Sequence, residues 1–270
     1  MALSIMLFSG CDKINNDLKG RLVISITDGP FPINFIESAT VTITKIEIRK
    51  AGDGVSDGNP FLTVWEGTES FDLLQLRNGL IETLTDIEVP QGRYDLVRLY
   101  VDQAGLKIKD GGAFDVKVPS GPQTGIKIFI NPELMVEGGL TSELLLDFDL
   151  SSSFVMRGNL ESPAGISGFI FKPVIRAANN TEAGRIEGSV TDSEGTPITE
   201  VLVEVLQDDN VVGTAYTDLS GKYAVIGLAP GKYTVKASKT EYESLTVDDT
   251  SVSAGNRTIV DIVMTKITTP

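Results

Sequence analysis

The stretch KYAVIGLAPGKYTVKA, Lys222–Ala237, carries the clearest folding signal in this sequence. Larger apolar residues alternate with small or polar ones on both sides of Pro230-Gly231; they are Tyr223, Val225, Tyr233 and Val235. A period of two indicates strands that bury one face, and Pro-Gly is a turn signal. The pattern predicts two strands joined as a β-hairpin.

The same rhythm continues on both sides of this stretch. GRIEGSVTD, ITEVLVEVLQ, VVGTAYTD and NRTIVDIVMTK are strand-like runs, and turn-forming residues separate them. About seven strands in about 85 residues is the size of a small β-sandwich.

Strand-like patterns also fill the part of the chain between Arg21 and Ala177. TVTITKIEI (Thr40–Ile48) alternates and then slips phase near Lys45, which predicts a β-bulge. RYDLVRLYV (Arg93–Val101) is apolar on both faces for part of its length, as in a central strand. Only Asn78–Asp86 is expected to form a short helix. Many short strands with regular turns predict an all-β fold, here two β-sandwich domains in tandem.

Changes in composition divide the chain into five parts. Residues 1–11 are interpreted as a signal segment that ends at a cysteine, and residues 12–19 as a polar tether. Residues 20–177 are expected to form the first β-domain. Residues 178–183 are polar and without periodicity, as in a linker, and residues 184–267 form the second domain.

The segment MALSIMLFSGC, Met1–Cys11, is apolar and ends in Ser9 and Gly10 directly before the only cysteine of the chain. It resembles the lipobox of bacterial lipoproteins, although Phe8 replaces the preferred aliphatic residue and no Lys or Arg precedes the segment. The resemblance implies acylation of the thiol, and two or three acyl chains anchor a protein stably. We expect lipidation at Cys11 and a place in the cell envelope, at the outer membrane of a Gram-negative bacterium. The alternatives are a cleaved signal without lipid and a buried first strand with a free thiol.

Composition excludes several classes of site. The absence of histidine removes Ser-His-Asp and Cys-His catalysis and His-ligated zinc. A single cysteine forms no intramolecular disulfide and no iron–sulfur site. The net charge of −14 divides into −8 before Gly184 and −6 from there on, so neither domain has the basic surface that nucleic acid requires. We expect no metal, no cofactor and no nucleic-acid partner.

Turn and core motifs in the second domain are GxVTDxxGxPI (Gly188–Ile198) and TDxxGKYxxxxLxPGKYTV (Thr217–Val235), followed by a terminal strand rich in Ile and Val. With these motifs the domain resembles the carboxypeptidase regulatory-like domain. The resemblance implies a transthyretin-like, seven-stranded Greek-key sandwich with a carbohydrate-binding-like fold. It implies an accessory module of bacterial surface proteins and says nothing about chemistry.

A second set of motifs spans the first domain: LVISITDGP (Leu22–Pro30), FDLLQLRNG (Phe71–Gly79), PQGRYDLVRLYV (Pro90–Val101), KVPSGPQTGIKI (Lys117–Ile128), ELLLDFDL (Glu143–Leu150) and FKPVIR (Phe171–Arg176). These motifs resemble domain-of-unknown-function family 4382, which occurs in bacterial and archaeal envelope proteins. The resemblance implies a domain type and a location, and little about activity.

Asp147 and Asp149 are the first candidates for chemistry. They lie two residues apart in a strand, so both side chains are on one face. Paired carboxylates bind calcium or catalyse hydrolysis of a glycosidic bond. The opposite face, Leu146, Phe148 and Leu150, is continuously apolar. A solvent-exposed strand face is therefore the plainer interpretation.

Other candidates are weaker. Asp28 and Asp72 follow strand-like runs and are either ligands or Asx-type turn residues that bind the local backbone. Tyr242, in the loop SKTEYES, is expected to be the most exposed Tyr or Trp ring and hence a surface for a sugar. Asp53–Asn59 and Asp208-Asp209 look like partial calcium loops without the full ligand spacing.

Three hypotheses of function follow. The first is a non-catalytic, lipid-anchored module that binds a glycan or a surface protein. The second is a structural or assembly component of a larger envelope complex. The third is a hydrolase that uses Asp147 and Asp149.

Overall fold

The computed structural model describes residues 18–29, 36–52, 61–109, 111–118, 121–158 and 166–267. Within these ranges nearly all regular structure is β-strand, so the predicted all-β fold is confirmed. No helix in the described part of the chain has the length and apolar character needed to cross a bilayer.

The first domain contains eleven strands in the described ranges. They are β1 (Lys19–Gly29), β2 (Ile36–Lys50), β3 (Phe61–Asp72), β4 (Glu82–Pro90), β5 (Gly92–Ile108), β6 (Ala113–Val116), β7 (Ile126–Val136), β8 (Thr141–Asp149), β9 (Phe154–Gly158), β10 (Ile166–Phe171) and β11 (Ile175–Asn179). Three single-turn helices connect them: a 3-10 helix (Leu73–Leu76), α1 (Gly121–Thr124) and α2 (Leu150–Ser153).

Nine of these strands form one sheet in the order β3-β2-β5-β7-β11-β8-β1-β4, with β6 beside β5. The sheet curls so that its two edge strands, β3 and β4, come into contact. The Thr85 hydroxyl of β4 donates to the Val64 carbonyl of β3 at 3.1 Å. The enclosed space holds one hydrophobic core. The other two strands, β9 and β10, pair with each other as a separate two-stranded sheet. The first domain is therefore a curled nine-stranded sheet with a small second sheet, where the sequence predicted a β-sandwich.

Two local predictions for this sheet are confirmed. The register of β2 against β3 shifts between Ile43 and Lys45, at the predicted phase slip, and Ile43 and Ile46 are both fully buried. β5 pairs with β2 on one side and β7 on the other, which makes it the central strand that its two apolar faces predicted.

The helix expected at Asn78–Asp86 is wrong. Asn78 and Gly79 form a turn with positive φ, and β4 begins at Glu82 and pairs antiparallel with β1. The β-branched residues Thr83, Thr85 and Ile87 favour a strand, and pairing along β1 outweighs the weak helical periodicity.

The second domain contains β12 (Gly184–Thr191), β13 (Leu202–Gln207), β14 (Asn210–Tyr216), β15 (Lys222–Leu228), β16 (Gly231–Ser238), β17 (Leu245–Val252), β18 (Arg257–Ile259) and β19 (Ile262–Val263). One sheet has the order β15-β12-β18, with β19 also beside β12, and the other has the order β14-β13-β16-β17. Because β18 and β19 pair in succession with β12, they act as one interrupted strand. This is the predicted sandwich.

The hairpin predicted at Lys222–Ala237 is also wrong in its pairing. β15 pairs with β12, whereas β16 pairs with β13 and β17 in the opposite sheet. Tyr223 and Tyr233 are nevertheless both buried in the core between the sheets. Alternation identifies the residues that face inward, and it does not say which strand each run pairs with.

Candidate functional site: the cleft between the domains

Arg176 holds the two domains together. It lies on β11, where it is paired with Asp147 of β8. Its guanidinium donates to Asp147 Oδ2 at 2.8 Å, and it also donates to the carbonyl oxygens of Gly227 at 2.8 Å and Ile226 at 3.2 Å. Since both carbonyls belong to β15, one side chain bonds both domains.

Side chains of the first domain pack closely against the backbone of Gly227 in the second. Its φ is +71°, and an added Cβ would lie 3.0 Å from Leu145 Cδ2 and 3.3 Å from Ala178 Cβ. The segment that links the domains is also bonded to the first domain, since Asn180 N donates to the Glu143 carbonyl of β8 at 2.8 Å. These contacts hold the domains in one arrangement.

A cleft of about 1180 Å³ opens between the domains beside this contact. The first domain contributes the 3-10 helix and the following Asn78-Gly79 turn; the second contributes the outer face of the β14-β13-β16 sheet and the adjoining loops. Ligand sites in proteins commonly have volumes of roughly 300–1,000 Å³. The cleft is therefore large enough for an extended ligand.

The wall from the first domain is fixed by Asp72. Its Oδ1 accepts hydrogen bonds from Leu74 N at 3.2 Å and Ala39 N at 3.0 Å, which caps the 3-10 helix and ties it to β2. The Asx-type interpretation of Asp72 is confirmed. The Thr27 hydroxyl donates to the carbonyls of Leu76 at 3.0 Å and Leu80 at 2.8 Å, which holds the next turn.

Two polar side chains of this wall are exposed in the cleft, those of Gln75 and Arg77. The Arg77 Nε donates to the Leu74 carbonyl at 2.8 Å, which sets the direction of its side chain. Leu73 and Leu76 are buried in the core, so the short helix is amphipathic and its polar side faces the cleft.

The wall from the second domain follows from strand alternation. Val203, Ala215 and Ala237 are buried in the sandwich core. Leu202, Tyr216 and Ser238 are the direct neighbours of these core residues along their strands, so they lie on the outer face. Leu202 is paired with both Tyr216 and Ser238. These three residues form a row across the sheet along the cleft. The pKa of Tyr216 is raised, first by its partial burial and then by Glu204 and Glu200.

Charges on the cleft walls balance. Arg77 and Lys239 are positive, whereas Glu200 and Asp218 are negative. Lys239 Nζ donates to the Thr199 carbonyl at 2.5 Å, and Asp218 Oδ1 accepts from the backbone N–H groups of the next turn at 2.8 and 2.9 Å. A neutral cleft in a protein of net charge −14 differs from the rest of its surface.

Asp147 and Asp149 share one face of β8, as predicted, opposite the buried Leu146 and Phe148. This face is not the expected solvent-exposed one, because the Asp147 side chain is only 18% exposed and Leu145 beside it is fully buried. Both have structural partners. Asp147 binds Arg176, and Asp149 Oδ1 caps α2 by accepting from Ser152 N at 2.9 Å.

Asp28 is not a turn residue, because it lies within β1 opposite Phe148 of β8. It continues the inward-facing series Leu22, Ile24 and Ile26, and its side chain is buried. Neither carboxyl oxygen has a hydrogen-bond partner in the described part of the chain. Burial raises the pKa of Asp28 well above its ordinary value, and Asp147 raises it further. The nearby Leu150 N–H opposes this rise, although its geometry falls short of a hydrogen bond.

The three aspartates thus lie on neighbouring strands without forming an ion site. Among the described residues, no group of three or more Asp, Glu, Cys or His side chains is arranged to hold a metal. Asp208 and Asp209 are exposed in the β13–β14 turn. Cys11 and Asp53–Asn59 lie outside the described residues, so the lipid anchor and that loop stay predictions.

Tyr242 is half-buried and packs against the core of the second domain, contrary to the expectation of an exposed ring. The ring that lines the cleft is that of Tyr216, which the sequence analysis did not select. The sequence feature that could have identified Tyr216 is the neighbouring Ala215, whose position in the core places Tyr216 on the outer face. The polar residues of the 3-10 helix were also missed, since no sequence pattern links them to a loop 120 or more residues away.

Comparison with known families identifies both domains. Residues 19–173, more than half of the chain, match the family model described as domain of unknown function (DUF4382). The chain belongs to the DUF4382 family. In this DUF4382 protein, residues 185–265 match the model of the carboxypeptidase regulatory-like domain, in the predicted order. Neither description names an enzyme, and these domain types are consistent with a non-catalytic surface or structural module.

No curated protein matches the DUF4382 protein. Solved structures that resemble it include the shaft pilin SpaA of Lactobacillus rhamnosus GG, with 10% identity, coverage of 93% of this chain and 99% of that chain, and a TM-score of 0.30. The minor pilin GBS52 of Streptococcus agalactiae has 15% identity, coverage of 93% and 98%, and a TM-score of 0.26. The 3-chlorocatechol 1,2-dioxygenase of Rhodococcus opacus 1CP has 16% identity and a TM-score of 0.25; the match covers 32% of this chain and 60% of that chain. Likeness at these values does not bear on function.

Proposed function

We propose that this protein is a non-catalytic binding module of the bacterial cell envelope, anchored by lipid at Cys11, and that it holds its ligand in the cleft between its domains. The observation that carries the proposal is the cleft itself, about 1180 Å³ with walls that are mostly polar. Both walls are built by residues tied into the folded domains, so the site is formed before the ligand arrives. A preformed site loses less free energy on binding than a site that must order itself.

Asp147 and Asp149, the two carboxylates of the hydrolase hypothesis, have structural roles. Asp147 is bound by Arg176, and Asp149 caps α2. A glycosidase needs two carboxyl groups that flank a substrate bond, one of which transfers a proton. Structural use of both groups favours binding over turnover.

The anchor is tested by mass spectrometry of the mature N-terminus of the full chain, with Cys11→Ser as the control. We expect a mass increase that corresponds to a diacylglyceryl group and an acyl group on Cys11, and membrane association that the variant loses. An unmodified Cys11, or cleavage beyond it, would contradict the anchored part of the proposal.

The binding function is tested with the full chain immobilised from detergent and exposed to polysaccharide and protein fractions of an isolated bacterial envelope. We expect specific retention of one fraction, reduced by substitutions in the cleft. Turnover of any offered glycan or peptide that disappears in both Asp147→Asn and Asp149→Asn would replace this proposal by the hydrolase hypothesis.

A further inference from the structure

We infer that the cleft between the domains binds an uncharged oligosaccharide of several sugar units, with one sugar ring stacked on Tyr216. This inference rests on the proposed binding function and names the ligand class and the residues that recognise it. Three properties of the cleft carry it, namely the chemistry of its walls, its charge balance and its shape.

The walls present groups that suit sugar hydroxyls. Amide and hydroxyl side chains line the cleft, those of Gln75, Asn78, Ser238, Thr240 and Ser244 among them. Such groups both donate and accept hydrogen bonds, as sugar hydroxyls do. Tyr216 lies on the opposite wall from Gln75, so one ligand between them meets an aromatic ring on one side and an amide on the other. An aromatic ring with a polar tip suits a ligand that has apolar C–H faces and polar edges.

The charge balance argues against an ionic ligand. Arg77 and Lys239 offset Glu200 and Asp218, and Lys239 and Asp218 are bonded to backbone groups of their own domain. An anionic ligand would in addition approach against the negative charge of the whole protein. A neutral ligand meets neither obstacle.

The shape favours a chain of sugars over an extended peptide. The row Tyr216–Leu202–Ser238 crosses three hydrogen-bonded strands, so this wall is a sheet face. β14 is the edge strand of this sheet, and only its last residue, Tyr216, lines the cleft. An extended peptide is usually bound by pairing with a free strand edge and by apolar pockets for alternate side chains. The cleft instead offers mainly hydroxyl, amide and charged side chains, with the exposed Leu80 and Leu219 among them. Its volume exceeds that of most sites for a single small molecule.

The test uses the full chain in detergent and isothermal calorimetry with cellohexaose, xylohexaose, mannohexaose and chitohexaose. An acidic galacturonate hexamer and a mixed-sequence decapeptide serve as competing classes. We expect at least one neutral hexasaccharide to bind, with affinity reduced about tenfold in Tyr216→Ala through loss of the stacked ring. Tyr216→Phe keeps the ring and is expected to keep the affinity.

A second variant and a matched control locate the site. Gln75→Ala removes a cleft amide and is expected to weaken binding several-fold. Gln103→Ala removes an exposed amide of β5 outside the cleft and is expected to change nothing. Circular dichroism and thermal unfolding verify that each variant is folded, and Tyr216→Phe remains informative if Tyr216→Ala is not.

Binding that survives both Tyr216→Ala and Gln75→Ala would overturn the cleft as the site and leave the proposed binding function standing. Binding of the galacturonate or the peptide alone would overturn the ligand class. No binding of any hexasaccharide would overturn the inference, while the envelope fractions and the Cys11 measurement test the proposed function separately.

Discussion

Arg176 and Asp147 face each other across the antiparallel pair β8–β11, and their side chains meet at 2.8 Å. The same guanidinium reaches two carbonyl oxygens of the second domain. Asp147 therefore orients a cation that joins two domains. This bond is one of the contacts that set the separation of the cleft walls, together with the packing at Gly227.

Arg176→Ala is expected to lower the free energy of unfolding by on the order of 2 kcal/mol, because two carbonyls and a carboxylate lose a charged donor. It is also expected to uncouple the domains. Trp65 is the only tryptophan, so its fluorescence reports the first domain, while circular dichroism reports both. We expect the two denaturation curves to coincide in the parent chain and to separate in the variant.

The control for this variant is Arg21→Ala, which removes a salt bridge to Asp86 on the exposed surface of the first domain. Exposed ion pairs contribute little, so its curves are expected to match those of the parent. Coincident, unshifted curves for Arg176→Ala would contradict the role of Arg176 as a link between domains.

Gly227→Ala tests the close packing of first-domain side chains on the Gly227 backbone. Both Gly227 and Gly255 have positive φ, near +71° and +64°, but only at Gly227 would a Cβ meet the other domain. The backbone strain common to both substitutions is expected to be roughly 1 kcal/mol. Gly227→Ala is expected to lose more stability than Gly255→Ala in chemical denaturation and to weaken ligand binding in the cleft. Equal losses for the two variants would mean that the domains are not in contact at Gly227.

Sequence periodicity predicted which residues face inward and did not predict how strands pair. Tyr223 and Tyr233 are both buried as expected, yet their strands belong to opposite sheets. Alternation is a property of one strand and its core, whereas pairing depends on the path of the chain through the turn. The phase slip at Lys45 was predictable for the same reason, since a bulge changes the alternation of its own strand.

The candidate site was less predictable than the fold. Asp28 looked like a turn residue because Gly29-Pro30 follows it, but β1 continues through it along β8. Asp147 and Asp149 share one face of β8 as predicted, but the expected solvent exposure is wrong for Asp147. Their partners, Arg176 and the N-terminus of α2, lie outside the pattern of their strand. The cleft joins residues 74–80 to residues 199–244, and such proximity arises only from tertiary packing.

The same local bond recurs at a turn in each domain. The Tyr94 hydroxyl donates to the Pro90 carbonyl at 2.7 Å, and the Tyr233 hydroxyl donates to the Ala229 carbonyl at 2.6 Å. Each tyrosine thus binds the residue four positions earlier, as in the tyrosine corner of β-sandwiches. In the second domain, this bond fixes the turn that carries the chain from one sheet to the other.

Tyr233→Phe removes this bond and leaves the Ala229 carbonyl without its donor. We expect a loss of about 1–2 kcal/mol in the free energy of unfolding, and a similar loss for Tyr94→Phe. Tyr242→Phe is the matched control, because no described residue bonds the Tyr242 hydroxyl, and it is expected to unfold like the parent. A turn that is fixed by chain geometry alone would make all three variants equal in urea denaturation.

Asp28 makes the stability of the first domain depend on pH. Burial, then the charge of Asp147, raises the pKa of Asp28 above its value in the unfolded chain, about 3.9, while Arg77 lowers it slightly. A group with a raised folded-state pKa contributes its full stability below the unfolded pKa and loses it as the pH rises through the folded pKa. The parent chain is therefore expected to lose stability relative to Asp28→Asn as the pH increases from 4 to 8, because the amide cannot ionise.

The measurement is the difference in unfolding free energy between Asp28→Asn and the parent, from Trp65 fluorescence in urea at several pH values. We expect the variant to gain on the parent steadily above pH 4 and the difference to level off once the buried carboxyl is fully ionised. Asp102→Asn removes a carboxyl that is exposed on β5 and is expected to show no comparable trend. A difference for Asp28→Asn that is constant over the whole range would mean that Asp28 is solvated in the native protein, and that β1 does not bury it beside Phe148.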